Sequence, residues 1–213
     1  MKNLKDLKKI YFLGIGGIGM SALARYFKSL GIDVSGYDKT PTILTGELEQ
    51  EGIKVIFQDE LSLYPEDVDL VVYTPAIPKA HQGFTFYKAH PFTLKKRSEV
   101  LGIISADRFT IAVAGSHGKT TVSSMVAHLL LEAGLPVTAF LGGICNNFNS
   151  NYVQSNGTGV AKQQEVVVIE ADEFDRSFHR LSPNMAVITA VDTDHLYIYG
   201  TKEKIDEAFI EFT

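Results

Sequence analysis

Short apolar runs of four or five residues recur along the chain. Between them lie longer stretches whose apolar residues fall three and four apart. The runs read as strands buried on both faces, and the longer stretches as amphipathic helices. Ile10-Tyr11-Phe12-Leu13 is the first strand. The helix after it carries Ala22, Leu23, Tyr26, Phe27 and Leu30 on one face and stops at Gly31. Asp33–Tyr37, Lys54–Phe57, Leu70–Tyr73 and the short Phe92–Leu94 are further strands. Thr40-Pro41 is expected to cap and open a helix that runs to about Glu51. A helix over Lys96–Ile104 leads to Asp107-Arg108, where a domain boundary is expected, giving domains 1–106 and 107–213. The pattern then restarts. Strands are expected at Phe109–Val113, Val137–Leu141, Glu165–Ile169 and Met185–Thr189, with helices over Val122–Ala133 and Lys202–Phe212. The stretch from Gly142 to Gln164 lacks periodicity and is rich in Asn, Ser and Gly, so it reads as a loop that moves without ligand. Strands alternating with helices define an α/β chain with parallel sheets.

Both units open on a glycine turn between a strand and a helix. In the first, Gly14-Ile15-Gly16-Gly17-Ile18-Gly19 fits G-x-G-x-x-G, and Asp38 ends the next strand nineteen residues later. Such a turn brings backbone N–H groups and a helix N-terminus against a phosphate or diphosphate. In the second, Ala114-Gly115-Ser116-His117-Gly118-Lys119-Thr120-Thr121 has the Gly-Lys-Thr ending of a triphosphate-binding loop. Lys119 would reach the outer phosphates and the Thr120 hydroxyl would hold Mg²⁺. The general pattern wants glycine where Val113 stands. Two such turns imply two phosphorylated ligands.

Polar groups gather at other strand ends. Glu170-Ala171-Asp172-Glu173-Phe174-Asp175 packs four carboxylates into six residues, which calls for a cation facing the lysine loop or for a helix start. Ala190-Val191-Asp192-Thr193-Asp194-His195 follows another strand, and His195 is the histidine expected to function. Thr74-Pro75-Ala76-Ile77-Pro78 ends the Leu70–Tyr73 strand, as a ligand loop or a plain stiff turn. His81 and His90 near it are expected to be surface or packed histidines.

Composition narrows the class. The 213 residues are 45% hydrophobic and 21% charged with net charge −5, which removes the electrostatic footprint of a nucleic-acid binder. Lys95-Lys96-Arg97 reads as a solvated face. Cys145 is the one cysteine, so no internal disulfide forms, and it reads as a bystander thiol. The N-terminus has no apolar signal segment and no apolar run is long enough to span a bilayer, so a cytoplasmic protein without a membrane partner is expected.

Together these motifs resemble the ATP-dependent Mur ligases of bacterial peptidoglycan synthesis. Gly14–Ser21, Gly115–Thr121, Glu170–Glu173 and Asp194-His195 carry the resemblance in the family's order, and it covers the whole chain. The family's phosphate loop is the shortened form, which accounts for Val113. The resemblance implies a Rossmann-like first domain whose substrate is a UDP-sugar, UDP-N-acetylmuramate, held by Gly16, Gly17, Ile18, Gly19, Met20, Ser21, Asp38 and Thr74. It implies a second, partial P-loop-type domain binding ATP through Gly115, Ser116, His117, Gly118, Lys119, Thr120 and Thr121. Thr120, Glu170 and His195 would hold Mg²⁺, and Lys119, Glu170 and His195 would be catalytic. The implied reaction joins L-alanine to the lactyl carboxylate of the UDP-sugar through an acyl phosphate. Because a helix runs into Thr213, the chain is expected to be an N-terminal fragment, inactive alone, whose family has a third domain. A homodimer stays open. The chain departs from the family at Ser116, at Thr189-Ala190-Val191 and at Tyr197. Two alternatives stand beside this reading: a muropeptide-recycling ligase that attaches a tripeptide, and an NAD-dependent oxidoreductase that uses Gly14–Asp38 but leaves Lys119, Thr120 and Glu170 without a role.

Overall fold

The structure is a computed structural model that describes residues 4–157, 164–192 and 199–213. Two compact units divide it, Met1–Val100 and Leu101–Thr213.

The first unit is a five-stranded parallel sheet. Its strands are β1 (Lys9–Leu13), β2 (Asp33–Tyr37), β3 (Lys54–Ile56), β4 (Leu70–Tyr73) and β5 (Leu94–Lys96), in the order β3-β2-β1-β4-β5. β1 sits in the middle because Ile10, Tyr11, Phe12 and Leu13 are at most 2% exposed and need cover on both faces. Helix α1 (Ile18–Ser29) lays Met20, Leu23, Tyr26 and Phe27 on the sheet. The buried Arg25 guanidinium ties α1 to α2 (Ile43–Gln50), 3.0 Å from Glu47 and 2.7 Å from the residue after the helix, Glu51.

α2 starts later than its Thr40-Pro41 opening suggested. Thr42 is the cap, and it forms a reciprocal capping box with Thr45. Helix α3 (Gln82–Ala89) was not foreseen, because its cap is a histidine: His81 Nδ1 accepts the Phe84 N–H at 3.2 Å. The fourth helix, α4 (Arg97–Ala106), contains the border between the two units.

The second unit's sheet has the order β10-β6-β9-β7-β8. Its strands are β6 (Phe109–Ala114), β7 (Val137–Cys145), β8 (Ser150–Ser155), β9 (Val166–Glu170) and β10 (Met185–Ile188). All pairings are parallel except β7 with β8. That hairpin corrects the expected loop over Gly142–Gln164. β8 is only partly covered: Gln154 is exposed and Asn151 is buried, while Val153, with Cys145 and Phe148 of the neighbouring strand and turn, packs against the cluster of Ala127, Val137 and Leu141. Helix α5 (Lys119–Glu132) follows β6 directly. Helix α6 (Lys202–Phe212) packs Phe209 and Phe212 on Phe178.

Candidate functional site

In the first unit the glycine turn joins the C-terminal end of β1 to the start of α1. Gly14 and Ile15 both donate their N–H groups to the Tyr37 carbonyl, at 2.8 and 3.0 Å, so the turn is bolted to the end of β2. Asp38 continues from β2 and accepts the Gly16 N–H at 2.7 Å and the Thr40 N–H at 3.3 Å. The carboxylate therefore orders the turn itself. Thr74 lies beside Gly14 at the end of β4. Gly17 and Ile18 are exposed, and Gly16 and Gly19 are partly so. Met20 and Ser21 point inward, 2% and 0% exposed, and their N–H groups go to the Gly17 carbonyl.

Arg97 is a neighbour that sequence reasoning missed. Its guanidinium occupies the space where a Gly19 side chain would stand. It is half-buried, not part of a solvated face. No spacing links residues 19 and 97; β5 brings them together by pairing beside β4.

In the second unit the lysine loop lies between β6 and α5. Gly118 stands just before α5 with φ of 79°, a left-handed conformation that favours glycine. The loop rests on the segment just after β10. The Ser116 N–H donates to the Ala190 carbonyl at 2.8 Å, and the Thr189 hydroxyl donates to the carbonyls of Ala114 and His117. The Asp192 N–H donates to Ser116 Oγ at 3.0 Å. The exposed His117 ring lies 3.4 Å from the Asp192 carboxylate. Thr121 is exposed on the first turn of α5.

β6 and β9 pair in parallel with Val113 opposite Glu170, which brings the carboxylate beside the loop. Thr120 Oγ1 donates to Glu170 Oε1 at 3.1 Å, and the Gly142 N–H donates to Oε2 at 2.8 Å. A side chain at Gly142 would collide with this carboxylate, so β7 admits Glu170 only because the residue there is glycine. A hydroxyl and a carboxylate oxygen at this separation fit a hard cation that takes its other ligands from phosphate and water. Among the described residues there is no group of three or more His, Cys, Asp or Glu that could hold a metal by itself. His195 and Asp194 lie outside the described residues.

Lys119 is not loose in solvent. Nζ donates to the Gly115 carbonyl at 2.6 Å, and both Glu173 carboxylate oxygens lie 2.9 Å away. Part of the charge crowding in Glu170–Asp175 is thus offset by the loop lysine itself. The acidic stretch runs into a 3₁₀ segment, Phe174–Arg180, which includes Asp175. Glu173 is the second residue that sequence reasoning missed as part of the site. The signal was there, in an acidic residue three places beyond the cation-side Glu170.

Two α/β sheets, one parallel and one parallel but for its β7–β8 edge, each with a glycine turn at the C-terminal ends of its strands, are the build of nucleotide-binding α/β proteins. The comparisons narrow this. The catalytic domain of the Mur ligase family matches residues 9–109, and the Mur ligase middle domain matches residues 113–213. The chain belongs to the Mur ligase family. It is 53% identical over 214 residues to UDP-N-acetylmuramate–L-alanine ligase of Flavobacterium psychrophilum, covering 99% of this chain and 46% of that protein. It is 48% identical over 212 residues to the ligase of the same name from Porphyromonas gingivalis, covering 97% and 45%. The chain thus spans about half the length of the curated relatives it matches.

Among solved structures, UDP-N-acetylmuramate–alanine ligase MurC from Thermotoga maritima superposes with a TM-score of 0.85 at 34% identity, over 97% of this chain and 46% of that one. UDP-N-acetylmuramate:L-alanyl-gamma-D-glutamyl-meso-diaminopimelate ligase from Neisseria meningitides gives 0.88 at 28% identity, over 97% and 67%.

Proposed function

We propose that this chain is the UDP-sugar-binding and ATP-binding part of a ligase that joins L-alanine to the lactyl carboxylate of UDP-N-acetylmuramate in bacterial peptidoglycan synthesis. The observation that carries the ATP half is the Thr120–Glu170 contact at the mouth of the lysine loop. The choice of amine rests on the names of the curated relatives near 50% identity. The higher TM-score to the tripeptide-attaching ligase keeps that enzyme as the second reading. The division into a sugar domain, 1–106, and a nucleotide domain, 107–213, belongs to the same proposal.

The residues support a two-step reaction. The lactyl carboxylate attacks the γ-phosphorus of ATP and releases ADP, leaving an acyl phosphate. The alanine amine then attacks the acyl carbon and expels phosphate. Phosphoryl transfer of this kind asks a protein for positioning and charge neutralisation. Gly115, Ser116, His117, Gly118 and Thr121 line the nucleotide's path, and Lys119 meets the β- and γ-phosphates. Thr120 and Glu170 would hold Mg²⁺, and His195 would serve a second cation near the substrate carboxylate. Bound there, Mg²⁺ screens the repulsion between two anionic substrates. In the first unit the exposed turn at Gly16–Gly19 takes the diphosphate. Asp38 orders that turn, Thr74 flanks it, and the buried Met20 and Ser21 act through the helix that they seat.

Separate calorimetric titrations with UDP-N-acetylmuramate and with NAD test this reading. Saturable binding of the UDP-sugar and none of NAD is expected. NAD binding without UDP-sugar binding would return the Gly14–Asp38 turn to an oxidoreductase. Ligation by these 213 residues alone is not expected, because the relatives that carry the activity are about twice as long.

A further inference from the structure

We propose that Glu173 is a positioning residue for the nucleotide, holding the Lys119 ammonium over the loop where the β- and γ-phosphates of a bound nucleoside triphosphate arrive. This deepens the proposed ATP site and rests on that reading.

The geometry is a double tie. Consecutive residues at the start of α5, Lys119 and Thr120, meet two acidic residues three apart, Glu173 just after β9 and Glu170 at its last position. Glu170 faces the hydroxyl that would share a cation. Glu173 faces the ammonium. Glu173 is 4% exposed, so its carboxylate needs a cationic partner within reach, and Lys119 supplies it. The backbone beneath Glu173 is fixed. Its carbonyl accepts the buried Tyr199 hydroxyl at 2.6 Å and the Arg176 N–H at 3.1 Å. Just before it, the Ala171 N–H donates to the Val113 carbonyl at 2.9 Å, and the Ala171 side chain is buried.

A lysine ammonium has three N–H donors on a four-carbon stem that is otherwise free to sample solvent. Here one donor goes to the Gly115 carbonyl and one to Glu173. These two contacts fix where the ammonium points. That placement is the arrangement by which an acidic side chain makes a phosphate-binding lysine ready elsewhere, as in the lysine–glutamate pair of protein kinases. A buried ion pair serving stability alone would have no reason to include the one loop residue that meets the outer phosphates. Glu173 bears no net repulsion toward the triphosphate while Lys119 neutralises it. Removing its charge therefore costs aim.

The test is nucleotide titration of the 213-residue chain with ATP and AMP, both with Mg²⁺, for wild type, E173Q and E173D. Lys119 reaches only the outer phosphates, so the ratio of ATP to AMP affinity reports its placement. E173Q is expected to lower that ratio by about tenfold, and E173D, which keeps the charge on a shorter stem, by about threefold. In a K119M background, E173Q should leave the ratio unchanged. A purely structural role would weaken both nucleotides alike and lower the melting temperature without changing the ratio. An unchanged ratio in the variants that fold overturns the inference. Absence of ATP binding by the wild-type chain overturns the reading beneath it, and the two failures are told apart by the wild-type titration alone.

Discussion

His81 uses its two ring nitrogens differently, and its stability contribution depends on pH for that reason. Nδ1 accepts the Phe84 N–H at the start of α3, so the proton sits on Nε2, which has no hydrogen-bond partner among the described residues. Asp59 Oδ1 lies 3.6 Å from Nε2, and the ring is 6% exposed, 4.5 Å from the Tyr37 ring centre. Burial pushes the imidazole below its ordinary value of 6.5, and the Asp59 carboxylate opposes this only in part. For Asp59, burial acts to raise the pKa. Hydrogen bonds from Tyr64 and from the Gln82 and Gly83 N–H groups, together with the nearby His81, outweigh it and hold the carboxyl below its ordinary value. Asp59 therefore stays ionised above pH 5. The folded pKa of His81 lies below the unfolded one, so the unfolded chain binds more protons. The stabilisation is present above pH 6.5 and is lost as pH falls through the folded value. Protonation also removes the lone pair that caps α3. Urea unfolding of wild type and H81N between pH 7.5 and 5.5 is expected to show wild type losing stability relative to the variant as pH falls, and parallel curves would refute this. Sequence alone suggested a packed or surface histidine, and burial makes it the packed kind, whereas His90 is exposed. The placing of Thr120 beside Glu170 was legible because each ends a recognisable local pattern. The partners of Lys119 and Gly19 were not, because Glu173 and Arg97 reach them only through the folded sheets.

α2 shows how a local rule can point two residues astray. Thr40-Pro41 has the look of a cap followed by a first-turn proline. The chain instead uses Thr42, whose Oγ1 accepts the Thr45 N–H at 3.2 Å while Thr45 Oγ1 accepts the Thr42 N–H at 2.8 Å. This is a capping box with threonine where Glu or Gln is usual, and the 1% exposure of Thr45 keeps both bonds away from competing water. T42A removes the acceptor and should cost about 1 kcal/mol of stability. T40A, whose residue lies outside the box, should stay within about 0.5 kcal/mol of wild type. Thermal or urea denaturation of the two variants compares them directly, and a larger loss at Thr40 would restore the earlier start of the helix. The β7–β8 hairpin was missed for a related reason. Its turn residues, Asn146–Asn149, and the polar face of β8 dominate the composition, and the alternation of one covered face is broken by a register shift between Phe140 and Cys145. Runs buried on both faces, such as β1, β6 and β9, have no such ambiguity and were legible almost to their ends.

At the scale of the whole chain, each unit brings its own glycine turn to the C-terminal ends of its strands, one after β1 and one after β6. In the first sheet, β1 is the point from which the strand order runs outward both ways, which is where open α/β sheets take ligands. The two turns differ in what already neutralises them. Asp38 sits on the first through Gly16, and Glu173 sits on the second through Lys119. Each turn is therefore tied down by the protein's own groups, and ligand binding should appear as added protection where it binds, not as folding of the unit. A ligand present at a hundred times its dissociation constant stabilises the state that binds it by about 2.7 kcal/mol. Amide hydrogen exchange should then show UDP-N-acetylmuramate slowing exchange around Gly14–Gly19, and ATP with Mg²⁺ slowing it around Gly115–Thr121 and Glu170. Under the proposed assignment, neither ligand should protect the other's turn when added alone. Protection of the first turn by ATP alone, or of the second by the UDP-sugar alone, would mean that the two sites are assigned to the wrong sheets.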